Sequence, residues 1–320
     1  MKINYKSTQN FWALITGFVK SLIFDFISEK RLNLFVRTND IISVSPLLEG
    51  THEPQILDFF SCAATAGYSD FLIDIGGNIG LTSCLASRHF SSIHVYEINP
   101  LAFKILEVNV SSSMDFHKFY LNDYGIGAFN GKTTLVVPKH NWGGAYIDDD
   151  GNSYSNEVLA KKDGFTHIVK DNYNRSEVSI KKGSEEFMRV FHRQMKKFDR
   201  PIKGVIKIDV EGYERTVIKE LVDSNRDGVD LLVVFENWDK SLSSVDIRNE
   251  FEGENIKLSK ISRRAPFPRN APKLVKIILF ILMAPLGLAK YQYYLKEIKP
   301  GDLETSLLGD LVLELSGRNI

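Results

Sequence analysis

The alternation of apolar and polar positions divides the chain into a helical opening, a long α/β middle and a basic, apolar block near the end. Phe11, Leu14, Ile15, Phe18, Leu22 and Phe26 recur at helical spacing, with short β-like runs after them at 32–36 and 41–44. Gly50 and Pro54 mark a turn into a helix that ends near Gly67. Beyond it, apolar runs of strand length stand at 71–75, 93–96, 119–121, 205–210 and 231–235, and helix-period stretches at 81–88, 101–108 and 213–222. Strands alternating with helices predict a mostly parallel sheet covered on both faces. Residues 139–183 are rich in Gly, Asn, Asp, Ser and Tyr and predict a long polar loop, a feature that usually serves function. Residues 184–198 predict a helix whose Arg189, Arg193, Lys196 and Lys197 read as a solvated face. Strand-like runs resume at 291–298 and 311–315. The organisation is an N-terminal extension over 1–50 and one α/β domain over 51–320.

Composition narrows the function classes. With 43% apolar and 25% charged residues the chain is globular rather than disordered. Forty basic residues balance forty acidic ones, so no overall field gathers nucleic acid, and any basic patch is local. Cys62 and Cys84 form neither a disulfide framework nor a CxxC metal motif, which fits a reducing, cytoplasmic compartment. The early apolar stretch is broken by Lys20 and Asp25 and leads to no small-residue cleavage site, so no signal peptide is read.

The exception to this balance is the block from Leu274 to Ala289, flanked or interrupted by Arg263, Arg264, Arg269, Lys273 and Lys276. A core helix, a transmembrane span and an interfacial anchor compete for it. Sixteen residues fall short of the about 20 that a span needs. A span would also put the strand-like runs at 291–298 and 311–315 across the bilayer from the rest of the domain. The expectation is a monotopic insertion over 263–290 that touches the cytoplasmic leaflet.

The most informative stretch is Phe71-Leu-Ile-Asp-Ile-Gly-Gly-Asn-Ile-Gly80, a strand entering a glycine turn and then a helix. Glycines allow positive φ and close ligand approach. Asn78 breaks the GxGxxG dinucleotide pattern, and no Gly-Lys-Ser/Thr follows to make a P-loop. The turn suits a nucleoside ligand without a pyrophosphate. Glu97 ends the second strand, 23 residues after Asp74, where an acid accepts hydrogen bonds from ribose hydroxyls.

These motifs resemble the FkbM-type S-adenosylmethionine-dependent methyltransferases. The resemblance is carried by Ile73-Asp-Ile-Gly-Gly-Asn-Ile-Gly80, Val95-Tyr-Glu-Ile-Asn-Pro100, Tyr124-Gly-Ile-Gly-Ala-Phe-Asn-Gly131, Asn141-Trp-Gly-Gly144, Ile206-Lys-Ile-Asp-Val-Glu-Gly-Tyr-Glu214 and Phe235-Glu-Asn237. Gly77 departs from the Ala of many relatives, and Ile98 from a frequent Pro. It implies a class I methyltransferase, Rossmann-like α/β fold: a seven-stranded, mostly parallel sheet with helices on both faces. It implies that Asp74, Gly76, Asn78 and Gly80 hold the methionine part of S-adenosylmethionine, that Glu97 holds the ribose, and that Asn122, Asp123 and Tyr124 lie beside adenine. Glu53, in the short element before the first strand, joins the cofactor contacts. Methylation of a hydroxyl on a glycan or glycolipid is the implied activity. A non-sugar lipid or secondary-metabolite acceptor and a non-catalytic membrane scaffold are the alternatives.

Lys207, Asp209 and Glu211 alternate at a strand's end and so share a face. Buried charges cost several kcal/mol each unless they pair or bind something, which marks the set as catalytic. Asp209 is the candidate base, with Glu211 orienting the acceptor and Lys207 pairing with either carboxylate. Trp142, Glu214 and Glu236 are candidate acceptor contacts. Asp209, Glu211 and Glu236 are also the one set that suits Mg²⁺, although the spacing assigns no metal ligand.

Overall fold

A computed structural model describes residues 19, 34–37, 51–162, 169–237, 244–251, 256–264, 272–283, 291–299 and 308–317. The expected extension over 1–50 lies outside them apart from residue 19 and residues 34–37, as do the linkers of the 263–290 block at 265–271 and 284–290.

The main sheet has the strand order β11-β10-β12-β9-β8-β1-β2-β3. β1 (Phe71–Ile75), β2 (Ile93–Tyr96), β3 (Phe119–Asn122), β8 (Ile202–Ile208) and β9 (Val229–Asn237) are parallel. β12 (Gly309–Leu315) inserts antiparallel between β9 and β10 (Ile256–Arg264), and β11 (Gln292–Glu297) pairs antiparallel with β10. The sheet is eight-stranded where seven strands are expected, because the chain after β10 returns along its free edge before entering β12.

The inner strands read as continuous apolar runs because both of their faces are covered. All five residues of β1 are buried. Ile73, Ile75, Ile206 and Ile208 pack on one side with Phe187, Phe191 and Leu221. Leu72, Val95, Val205 and Val234 pack on the other with Phe60 and Leu106. Alternation along each strand thus feeds two cores.

The helices are α1 (Pro54–Thr65), α2 (Leu81–Ala86), α3 (Pro100–Ser111), α4 (Asn156–Lys162), α5 (Gly183–Phe198), α6 (Glu214–Val222), α7 (Ser244–Glu250) and α8 (Lys273–Met283). α1 buries Ile56, Phe59, Phe60 and Ala63, one stripe at i, i+3, i+4 and i+7. Pro100 opens α3, and the Asn99 side chain accepts from the Leu101 N–H at 3.1 Å. No helix among the described residues is long and apolar enough to cross a membrane.

The long loop expected over 139–183 is corrected. It contributes β6 (Tyr146–Ile147) and β7 (Tyr173–Lys182) to a second sheet with β4 (Gly125–Gly127) and β5 (Gly131–Pro138), in the order β4-β7-β5-β6. Most of β7 is exposed, so its polar sequence reflects a solvated strand. In α8, Leu274, Val275, Ile277, Ile278 and Leu282 are all exposed, which tells against the core-helix alternative for this block.

Candidate active site

A cavity of about 340 Å³ opens at the carboxyl ends of β1, β8 and β9, within the size range of small-molecule sites. Its floor is the turn after β1. Gly76 lies at φ +85, where a β-carbon would come 1.9 Å from the Asp209 carbonyl oxygen. Asn78, at φ +50, is a non-glycine residue in the left-handed region. Its N–H donates to Glu97 Oε2 at 2.6 Å, and the Asn99 N–H donates to Glu97 Oε1 at 2.6 Å. Two backbone donors therefore fix the Glu97 carboxyl on the cavity wall. Burial nevertheless pushes its pKa up to about 7, against those hydrogen bonds.

One wall of the cavity is built around Lys207. Its Nζ lies 2.6 Å from Asp209 Oδ2, 3.7 Å from Glu53 Oε2 and 3.8 Å from Asp74 Oδ1. Burial opposes the ammonium charge, but Asp209, Glu53 and Asp74 outweigh it and hold its pKa well above the usual range. Glu53, at φ 46 before α1, also accepts from Thr82 Oγ1 at 3.0 Å. Asp209, Glu211, Glu236, Glu53 and Trp142 all line the cavity, as the sequence predicts. Trp142 is stacked under Arg37, whose guanidinium carbon is 4.1 Å from the ring centroid.

Several expected contacts are placed elsewhere. Asp74 is fully buried beneath the turn, where it accepts from Ser83 Oγ, and burial raises its pKa despite Lys207. Gly80 caps α2, and its φ of +83 and closeness to Leu106 serve helix packing rather than the cavity wall. Asp123 is exposed. The Tyr124 hydroxyl turns to Glu186 and Asn122, while Arg189 clamps Glu186 at 2.6 Å. The wall on that side is instead Tyr96, Ile98, Gly125 and Ile126. Arg189 is thus engaged, in contrast to the solvated face expected of it. Glu214 is buried at the start of α6 and is not on the wall.

Two further residues of this region are given no role by the sequence. His52 lines the cavity with Nε2 3.9 Å from Glu53 Oε2, and burial lowers its pKa against the pull of Glu53. Asp310 on β12 accepts from Gln55 Nε2 at 3.4 Å, and burial, with Glu53 and Asp209 nearby, pushes it up to about 6. Among the described residues no three His, Cys, Asp or Glu side chains converge as a metal-ligand set. The carboxylates gather about Lys207 instead.

A mostly parallel sheet with β12 inserted antiparallel near its edge and β11 antiparallel at the edge itself, a glycine turn after its first strand and an acid ending its second have the arrangement of a class I methyltransferase. The match to known proteins is more specific. Residues 74–240, more than half of the chain, match the methyltransferase FkbM domain, and the chain belongs to that family of S-adenosylmethionine-dependent methyltransferases.

Similar solved structures include the precorrin-6y C5,15-methyltransferase of Geobacter metallireducens GS-15 (7% identity, 92% of this chain and 98% of that one, TM-score 0.40). Others are an S-adenosylmethionine-dependent O-methyltransferase of Thermotoga maritima (8% identity, 83% and 66%, TM-score 0.36) and human methyltransferase 10 domain containing protein (9% identity, 94% and 96%, TM-score 0.40). No curated protein matches the sequence significantly.

Proposed function

We propose that this methyltransferase acts on a hydroxyl group, with a sugar hydroxyl of a glycan or glycolipid as acceptor, at the cytoplasmic face of a membrane. The observation that carries the reading is the composition of the wall beside Lys207: Asp209, Glu211 and Glu236 face the same cavity as the Trp142 ring. Carboxylates accept hydrogen bonds from hydroxyls, and an aromatic ring packs on the apolar face of a sugar.

The residues fit S-adenosylmethionine. Glu97, fixed by two N–H donors, presents its remaining lone pairs to a ribose diol. Gly76 and Asn78 hold the methionine end, and Ile98, Gly125 and Ile126 cover the base. When bound, the cofactor supplies an electrophilic methyl group on a sulfonium. The chain's own task is to hold the acceptor oxygen in line and take its proton. Asp209 takes the proton, with the 2.6 Å contact to Lys207 Nζ fixing its rotamer. Glu211 and Glu236 orient the neighbouring hydroxyls.

His52 supports a second assignment of the base, because it lines the same cavity in the neutral form that burial favours. Transfer of labelled methyl from S-adenosylmethionine to the host's membrane glycolipid fraction tests the acceptor. Label in glycolipid that is lost with Asp209→Asn is the expected result. Label only in non-sugar lipids or small metabolites would replace the sugar acceptor.

A further inference from the structure

Among the described residues, the sheet edge beyond β12 carries an exposed apolar surface. In α8, Leu274, Ile277 and Leu282 are 69%, 56% and 61% exposed. On the hairpin from which α8 is inserted, Tyr291, Tyr294 and Leu295 are exposed too. The Arg263 guanidinium lies 5.0 Å from the Tyr291 ring centroid, and that of Arg264 lies 5.8 Å from Tyr294. Residues 256–299 hold ten Lys or Arg and a single acid, Glu297, in a chain whose net charge is zero.

We propose that the tip of the β10–β11 hairpin, together with α8, docks the enzyme on an anionic lipid bilayer. An apolar helix with cationic flanks lies in the plane of a charged interface, its side chains among the acyl chains. Tyrosine rings suit the headgroup level, and arginines suit anionic headgroups. A second copy of this chain fits the surface poorly. A two-fold contact would set the same patch against itself and bring like charges together.

Topology relates the surface to the cavity. β10 is antiparallel to β12 and β12 to β9, so β10 runs with β9 and ends on the edge where the cavity opens. The register links Lys207 to Val234, Val312 and Ser259 in one row. Arg264 stands five residues beyond that row, roughly 17 Å, and three strands aside, roughly 14 Å. A bilayer at the hairpin tip therefore meets the cavity's edge of the sheet. The docking stands on this surface alone; that it delivers a lipid-linked acceptor rests on the function proposed above.

Flotation of the full chain with phosphatidylglycerol-containing vesicles and with neutral phosphatidylcholine vesicles tests the docking. The protein is expected to float with the anionic vesicles and to be largely released by about 0.5 M salt. Ile277→Glu with Ile278→Glu should cut the bound fraction about tenfold or more while S-adenosylmethionine affinity, read by calorimetry, is kept. Arg263→Glu with Arg264→Glu should give the same release and leaves the helix intact should the first variant misfold. Three results overturn the proposal: a parent that floats with neither vesicle, flotation on both vesicles that all variants retain, or occupation of the patch by a second copy in light scattering. Failure of methyl transfer to detergent-dispersed glycolipid would count against the acceptor and leave the docking standing.

Discussion

Gly76 and Asp209 meet backbone to backbone: a β-carbon on Gly76 would lie 1.9 Å from the Asp209 carbonyl oxygen. One residue earlier, the Asp209 N–H donates to the Ile75 carbonyl at 2.9 Å, extending the β1–β8 ladder past the strand ends. The cofactor turn and the proposed base therefore move as one piece. In the proposed reaction, main-chain contacts rather than side-chain packing would hold the methyl donor's turn against the proton acceptor.

Gly76→Ala tests that coupling. A left-handed backbone costs an L-residue about 1–2 kcal/mol, and here the clashing atom is main chain. The variant is expected to lose at least about 2 kcal/mol of stability and its cofactor binding. Gly67, at φ +96 with nothing within 4 Å, is the control: Gly67→Ala should cost only the backbone part, about 1 kcal/mol. Equal melting-temperature shifts in the two variants would refute the close-approach argument.

Glu97 makes cofactor binding pH-dependent. With a pKa of about 7, it takes up a proton as the solution is acidified and then offers fewer acceptor pairs to the diol. S-adenosylmethionine affinity should fall between about pH 8 and pH 6, by at most tenfold per unit. Glu97→Ala should weaken binding roughly tenfold to a hundredfold at the upper end and flatten the profile. For the ligand-free chain the raised pKa contributes stability that is full below about 4.5 and lost as pH rises through about 7. Calorimetry across this range checks both the affinity and its slope.

Asp209→Asn is nearly isosteric. It should leave cofactor affinity in place while turnover drops by about 10²–10⁴. His52→Ala separates the two assignments of the base. Kinetics of both variants at saturating cofactor decide between them, and a large loss confined to His52→Ala would move the base there.

Lys207→Met should be the most destabilising of these changes. It leaves Asp209, Glu53 and Asp74 facing one another without a cation, at a cost of about 3–5 kcal/mol. Burial already raises the Asp74 pKa, and without the Lys207 cation that lowers it the native value climbs further above the unfolded one. The variant therefore binds extra protons as pH falls, and its deficit should shrink toward acid. Urea unfolding at about pH 5 and pH 8 measures this; a deficit independent of pH would mean that lost packing dominates.

The parallel core is legible in the sequence because β1, β8 and β9 are largely buried on both faces and read as apolar runs with few charged positions. β7 is not, since a solvated strand such as Tyr173–Lys182 has a loop's composition. Glu97, Lys207, Asp209, Glu211 and Glu236 are legible as acids or cations ending apolar strands. The Tyr124 hydroxyl is less legible: it donates to Glu186, a contact between distant segments that no local spacing encodes. His52 and Asp310 escape for the same reason. Each is one polar residue at an element's edge, and only the antiparallel pairing of β12 with β9 brings Asp310 opposite Glu236.

The borders of the inherited module and of the working enzyme do not coincide. Glu53 enters ahead of residue 74, and β12 arrives after residue 240. A fragment cut at those borders would strip β9 of its neighbour along Leu231–Asn237 and leave an apolar strand with unpaired main-chain groups, a template for aggregation. It would also take Glu53 from the cage that keeps Lys207 charged. A graft of the family segment into another scaffold would thus carry over the cofactor turn but not its electrostatics; the portable piece has to begin before His52 and run through Leu315.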